Sequence, residues 1–223
     1  MKVTFLGTGA ADWVIEKDKG LKDFRRNSSL LIDDCLLIDP GPNVLDALTA
    51  FKKQPEKIKY IINTHNHYDH YSEETVKSLK NATFYPLAPK DVVSVGEYVI
   101  RAYLANHGTE NPLHFIIQKN GKSIFYGLDG AWLTLLEAKA IKEFGIDLAV
   151  LDATVGNSKV DKRLFEHNNL SMVKDIKNAL EPYVKTWYIS HMAKTLHTSH
   201  AKLSAQMKRY NILVAKDGLE IEV

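Results

Sequence analysis

The sequence predicts an α/β protein of two mixed β-sheets with helices packed on their outer faces. Apolar, β-rich runs come first as hairpins and later alternate with helical patterns, which suits two sheets better than one doubly wound parallel sheet. Histidines and aspartates follow closely on several of these runs: His65 after YIIN, His107 after YLAN, Asp129 after FYGL and His191 after WYIS. Side chains at several strand ends can meet on one rim. No linker, low-complexity stretch or internal repeat divides the chain, so one domain over residues 1–223 is expected.

In order, VTFLG reads as a strand ending in the turn Gly7-Thr8-Gly9. SLLIDDCLLID reads as a hairpin turning at Asp33-Asp34. PGP at 40–42 breaks the chain, and Pro42 suits the start of the helix VLDALTAF. IKYIIN is a strand, and SEETVKSL opens with the capping pattern of a short helix. ATFYPL and EYVIRAYLA read as strands, then LHFIIQ and KSIFYGLD pair across a turn at Asn120-Gly121. WLTLLEAKAIKEFG is a helix closed by Gly145, and IDLAVLDA is a buried strand. NLSMVKDIKNAL is a helix starting near Asn168 or Asn169. TWYIS is a strand, SHAKLSAQMKRY a helix, and NILVA and LEIEV are closing strands.

The composition is ordinary for a globular protein, at 45% hydrophobic and 25% charged. A formal net charge of +2 argues against a nucleic-acid or membrane partner. One cysteine, Cys35, excludes an internal disulfide framework and suits a reducing compartment; in its apolar hairpin it reads as a small buried residue. No secretory signal and no bilayer-length apolar run are visible, so a cytoplasmic location is expected.

The chemistry concentrates in INTHNHYDHYS, residues 61–71, where His65, His67, Asp69 and His70 fall within six positions. Imidazole nitrogens and carboxylate oxygens suit Zn²⁺ and similar cations. The spacing is too tight for one helix face. In a loop, His65 and His67 can point one way while Asp69 and His70 serve a neighbouring position, which splits the motif between two metal sites. The plainer alternative is a polar loop with fortuitous histidines.

Taken together, FLGTG, LLIDPG, THNHYDH, ANHG, GLDG and YISH resemble, in order, the metallo-β-lactamase-fold superfamily of binuclear metallohydrolases. The resemblance implies an αββα sandwich. It also implies a first metal site of His65, His67, His107 and Asp129, and a second of Asp69, His70, Asp129 and His191. Two divalent cations are implied, Zn²⁺ first with Mn²⁺ or Fe as alternatives, and hydrolysis through a metal-bridging hydroxide in which Asp69 takes part. Such a pair serves phosphodiesters and also amides or thioesters, so the metals do not choose the substrate.

Within the superfamily, IFYGLDGAWL, LAVLDATVGN, FEHNNLSMVKDIKNAL and SHAKL resemble phosphoribosyl 1,2-cyclic phosphate phosphodiesterase of the carbon–phosphorus lyase pathway. That resemblance implies that His167 enters the site as general acid or phosphate contact, a role imidazole suits because it titrates near neutrality. His200 is expected to line the same pocket. FRRNSS offers Arg25, Arg26, Asn27 and Ser28 as phosphate contacts, and it also looks like a loop of tRNA 3′-processing endonucleases. A lone cysteine cannot build the cysteine-rich structural zinc site of the phosphodiesterase. The leading expectation is a phosphodiesterase for a small cyclic phosphate or nucleotide-type phosphodiester. A homodimer is compatible with it. The alternatives are a tRNA 3′-endonuclease, a thioester or lactone hydrolase, and a non-hydrolytic metal-binding sensor.

Overall fold

The central strands are apolar on both faces, so each sheet requires a cover on both sides. The computed structural model describes residues 1–223 and shows how the cover is provided. Its elements are β1 (Lys2–Gly7), α1 (Ile15–Asp18), β2 (Ser29–Ile32), β3 (Leu36–Ile38), α2 (Val44–Ala50), β4 (Tyr60–Ile62), α3 (Glu73–Ser78), β5 (Thr83–Phe84), β6 (Val92–Val95), β7 (Tyr98–Leu104), β8 (Leu113–Lys119), β9 (Lys122–Gly127), α4 (Leu135–Phe144), β10 (Ile146–Asp152), α5 (Leu170–Leu180), β11 (Val184–Ser190), α6 (His200–Lys208), β12 (Leu213–Val214) and β13 (Glu220–Glu222).

One sheet has six strands in the order β13-β1-β2-β3-β4-β5; the other has seven, in the order β12-β11-β10-β9-β8-β7-β6. Both are mixed. Antiparallel pairing joins β13 through β3 and β6 through β9, and parallel pairing joins β3 through β5 and β9 through β12.

Alternation along the strands sorts residues into three apolar layers. Leu30, Ile32, Leu36 and Ile38 of one sheet meet Phe115, Ile117, Ile124 and Val150 of the other in the central core. Leu31, Leu37 and Ile61 point outward onto Val44, Ala47 and Leu48 of α2. Ile116, Phe125, Ala149 and Ile189 point outward onto α4, α5 and α6, against Ile141, Val173 and Leu203. The result is the expected αββα order of layers. No helix is long and apolar enough to cross a membrane.

The local signals act as their chemistry dictates. Asn120 and Gly121 both take positive φ, 51° and 71°, in the two-residue turn between β8 and β9. Ser72 caps α3 by accepting from the Thr75 amide, and Thr134 and Glu137 form a capping box on α4. Asn169, rather than Asn168, caps α5. The hairpin at Asp33-Asp34 has a three-residue loop whose third member is Cys35, half-exposed rather than buried. Asn43, not Pro42, is the N-cap of α2. Two elements carry no strong sequence signal: the four-residue α1, and β6, which exposes Val92 and Ser94 at a sheet edge.

A buried ion pair braces the seven-stranded sheet against α4. His114 Nδ1 on β8 donates to Glu137, and its Nε2 donates to the Leu128 carbonyl at 3.0 Å. Burial disfavours charge on His114, but Glu137 more than offsets this and raises its pKa. A Cβ at Gly130 would come within 2.7 Å of the His114 ring, so the GLDG turn needs glycine there to pack over this pair. His114→Leu would strand a buried carboxylate, and we expect a loss of about 3–5 kcal/mol in urea unfolding. His114→Leu/Glu137→Leu should recover most of that loss. Because the folded pKa of His114 is raised, the pair's contribution is complete below the unfolded value of about 6.5 and falls as pH rises through the folded one. A loss under about 1 kcal/mol, as for an exposed pair, would contradict the assignment.

Candidate metal centre

The site is built where strands end. Asp39 directly follows β3, Asp152 closes β10 and His191 directly follows β11; His65 comes three residues after β4, His107 three after β7 and Asp129 two after β9. Asp39, Asp129 and His191 have positive φ values of 60°, 53° and 59°. A left-handed residue turns the chain sharply off a strand, at a cost that concentrates at functional sites. Gly41 lets the motif loop lie close, since a Cβ there would stand 2.3 Å from the Asp69 carbonyl.

These turns bring the seven expected side chains together in two groups that share Asp129. In the first, His107 Nε2 lies 3.1 Å from His67 Nδ1, and Asp129 Oδ2 lies 3.6 Å from His65 Nε2 and 3.7 Å from His107 Nε2. In the second, His191 Nε2 lies 3.2 Å from His70 Nε2, 3.4 Å from Asp69 Oδ2 and 3.1 Å from Asp129 Oδ1. Ligands about 2.1 Å from a tetrahedral cation stand about 3.4 Å apart, and these spacings bracket that value. His65 Nε2 and Asp129 Oδ1 are buried without any hydrogen-bond partner. Unpartnered donor atoms aimed at a common centre fit a cation better than they fit one another.

Two further carboxylates, which the strand pattern alone does not single out, hold the cluster from behind. Asp39 is fully buried and accepts from His70 Nδ1 (2.9 Å), Tyr126 Oη (3.0 Å), and the Thr64 amide (2.7 Å) and hydroxyl (2.9 Å). The Thr64 hydroxyl, its proton committed to Asp39, accepts from His65 Nδ1 at 3.0 Å. Both imidazoles are thereby turned so that Nε2 faces the cluster. Asp152, also fully buried, accepts from His167 Nδ1 at 2.7 Å. Their signal in the sequence is the terminal acid of LLID and LAVLD, which reads equally well as a turn residue.

The electrostatics follow from this packing. Burial, with His70 beside it, pushes His65 down to about 2, so it stays neutral. Burial works against charge on His70, but Asp129, Asp69 and Asp39 raise it well above the usual range. Burial works against ionised Asp69 and Asp129, but neighbouring histidines, His70 for the first and His191 with His70 for the second, hold both well below the usual carboxylate range. A cation in the second group must displace the proton held on His70, so its affinity rises with pH.

His167 joins the cluster from the loop before α5. Its ring stacks on His191 at 5.5 Å between centroids and lies 4.9 Å from that of His107. Burial opposes its charge, but Asp152 overrides this and lifts it to about 9. The other expected contacts have partners of their own. Arg26 is committed to Asp46 and Asp217 and packs over Phe24 and Phe51. Asn27 is buried, binding Asn43 Oδ1 through its amide and the Ala10 carbonyl through its side chain. Both serve the fold: a short buried loop must satisfy its polar groups internally. Ser28 donates to the Gly9 carbonyl. His200 accepts from Arg25 at 3.0 Å and pairs with Ser204 at 3.3 Å, with no contact to the cluster.

Residues 22–87, which include the H-x-H-x-D-H loop, match the model of the metallo-beta-lactamase superfamily. Solved structures of the same fold cover the whole chain. This protein has the metallo-β-lactamase fold. A diphosphatase from the PhnP family aligns with a TM-score of 0.77 at 19% identity, over 100% of this chain and 97% of that one. Zn²⁺-bound PqqB from Methylobacterium extorquens aligns with 0.78 at 16% identity, over 100% of both. The short form of human tRNase Z aligns with 0.75 at 17% identity, over 100% of this chain and 99% of that one. No curated protein matches the chain in sequence. At such identities the likeness speaks for the fold, which implies divalent metal ions, and the histidine–aspartate cluster has the donors to hold them.

Asp39→Asn should test the backing of the cluster. It removes the charge behind His70 while keeping a similar shape, and we expect about 10–100-fold weaker binding of a divalent cation. Competition with a chromophoric chelator measures this; affinity equal to the unaltered protein would show that Asp39 has no bearing on the cluster.

Proposed function

We propose that the protein is a binuclear metal-dependent phosphodiesterase acting on a small cyclic phosphate or nucleotide-type phosphodiester. The observation that carries this reading is the Asp152–His167 pair, which holds a charged imidazole beside both ligand groups. Two divalent cations bound there would lower the pKa of water and offset charge on the attacking and leaving oxygens. His65, His67 and His107 would hold one ion, Asp69, His70 and His191 the other, with Asp129 giving one oxygen to each.

The remaining chemistry belongs to the chain. Asp152 fixes the proton on His167 Nδ1 and stabilises the imidazolium, which leaves a second proton on Nε2 for donation. An alkoxide leaving from phosphorus is a strong base and needs that proton. A charged acid is of less use against a thiolate, so the pair favours a phosphoester over a thioester. The diphosphatase and the tRNase Z among the similar structures are named for phosphorus–oxygen chemistry, which supports the same class. The natural substrate would enter between His167 and the two ligand groups.

The test is dependence on the leaving group. His167→Ala and Asp152→Asn in the metal-loaded protein should slow an alkyl or ribosyl cyclic phosphate by about 10²–10⁴-fold. A p-nitrophenyl phosphodiester, whose leaving group is a weak base, should lose far less. Metal content should not change in His167→Ala, which touches no ligand support. An equal loss on both substrates would make His167 a phosphate contact rather than an acid. Wild-type protein carrying two ions but hydrolysing only thioesters or lactones would overturn the substrate class.

A further inference from the structure

Thr154 lies two residues beyond Asp152, in the turn after β10, and is buried. Its hydroxyl sits 2.5 Å from Asp152 Oδ1, 2.7 Å from His191 Nδ1 and 3.0 Å from the His191 carbonyl. It is also 3.2 Å from His167 Nδ1, but that nitrogen has its proton on Asp152 at 2.7 Å. The hydroxyl has one proton to share among these neighbours. At 2.5 Å from an ionised carboxylate oxygen, that proton must lie between Oγ1 and Oδ1; otherwise two sets of lone pairs would face each other. His191 Nδ1 therefore has to be the donor to Oγ1. The imidazole then carries a hydrogen on Nδ1, and Nε2 is the nitrogen it presents to Asp69, Asp129 and His70.

We infer that Thr154 is a positioning residue that sets the tautomer and direction of His191, and so sets the affinity of the second metal position. The geometry repeats that of Thr64, which links Asp39 to His65 in the first group by the same hydroxyl arrangement. Each strand-end aspartate thus holds two histidines, one directly and one through a threonine: Asp39 holds His70 and His65, and Asp152 holds His167 and His191. Asp152 thereby serves the proton donor and a metal ligand at once. The inference rests on the two-ion reading, and it adds a residue and a division of labour to it.

Thr154→Val keeps the shape of the side chain and removes the hydroxyl; Thr154→Ser keeps the hydroxyl. Zinc titration against a chromophoric chelator should show one of the two ions held about 10–100-fold more weakly in Thr154→Val, the other unchanged, and Thr154→Ser close to wild type. Thr64→Val should weaken the opposite ion. A Thr154→Val protein that binds both ions as tightly as wild type would overturn the inference. So would a Thr154→Ser protein as weak as Thr154→Val, since packing of the methyl group would then be the cause. A second readout needs neither activity nor metal. In ¹H–¹⁵N histidine spectra of ion-free protein, His191 should carry a hydrogen on Nδ1 in wild type and in Thr154→Ser. A His191 Nδ1 without a hydrogen in wild type would overturn the inference even if Thr154→Val fails to fold. Wild-type protein binding fewer than two ions would instead overturn the two-ion reading, while the tautomer would still decide the role of Thr154.

Discussion

Asp129 presents one carboxylate oxygen to each half of a buried histidine cluster, and the rest of the arrangement depends on that placement. A carboxylate so buried is costly unless positive charge lies on both sides of it. The two sheets provide the means. The H-x-H-x-D-H loop and Asp39 come from the six-stranded sheet, and His107, Asp129, Asp152 and His191 come from the seven-stranded one. The cluster therefore sits across the open edge of the sandwich, and folding of the central core assembles it.

The histidines need direction as much as proximity. Imidazole offers two nitrogens, and only one can face the centre. In this chain the choice is made by carboxylates at the ends of β3 and β10, acting directly on His70 and His167 and through hydroxyls on His65 and His191. The same buried acids would be hard to accommodate without those donors, so the supports and the supported groups stabilise each other. Behind Asp129, the His114–Glu137 pair ties the GLDG turn to α4 and keeps the shared carboxylate in register with both groups.

Much of this was legible in the chain. Four ligands fall within six residues, and the others stand within three residues of the ends of apolar strands, so both the motif and the strand ends pointed to the rim. The layers were legible because alternation along LLID, HFIIQ and IFYG assigns each residue to a face. Asp39 and Asp152 were harder, because an acid after a strand is also an ordinary turn residue; only the three-dimensional turn shows which carboxyl is buried against imidazole. Arg26 and Asn27 are the converse case. A basic, polar loop reads as a contact for anions, but Arg26 finds its partners 20 and 191 residues away, in Asp46 and Asp217, pairings that no local pattern encodes. The strand β6 escaped notice because an edge strand with one exposed face carries little apolar signal.

The central claim is that one carboxylate lies between two cation positions. Crystals of the protein grown with Zn²⁺ and measured on both sides of the zinc absorption edge test it most directly. The account predicts two anomalous peaks, one among His65, His67 and His107, the other among Asp69, His70 and His191, with an oxygen of Asp129 directed at each. A single peak, or two peaks with Asp129 turned away from both, would contradict it.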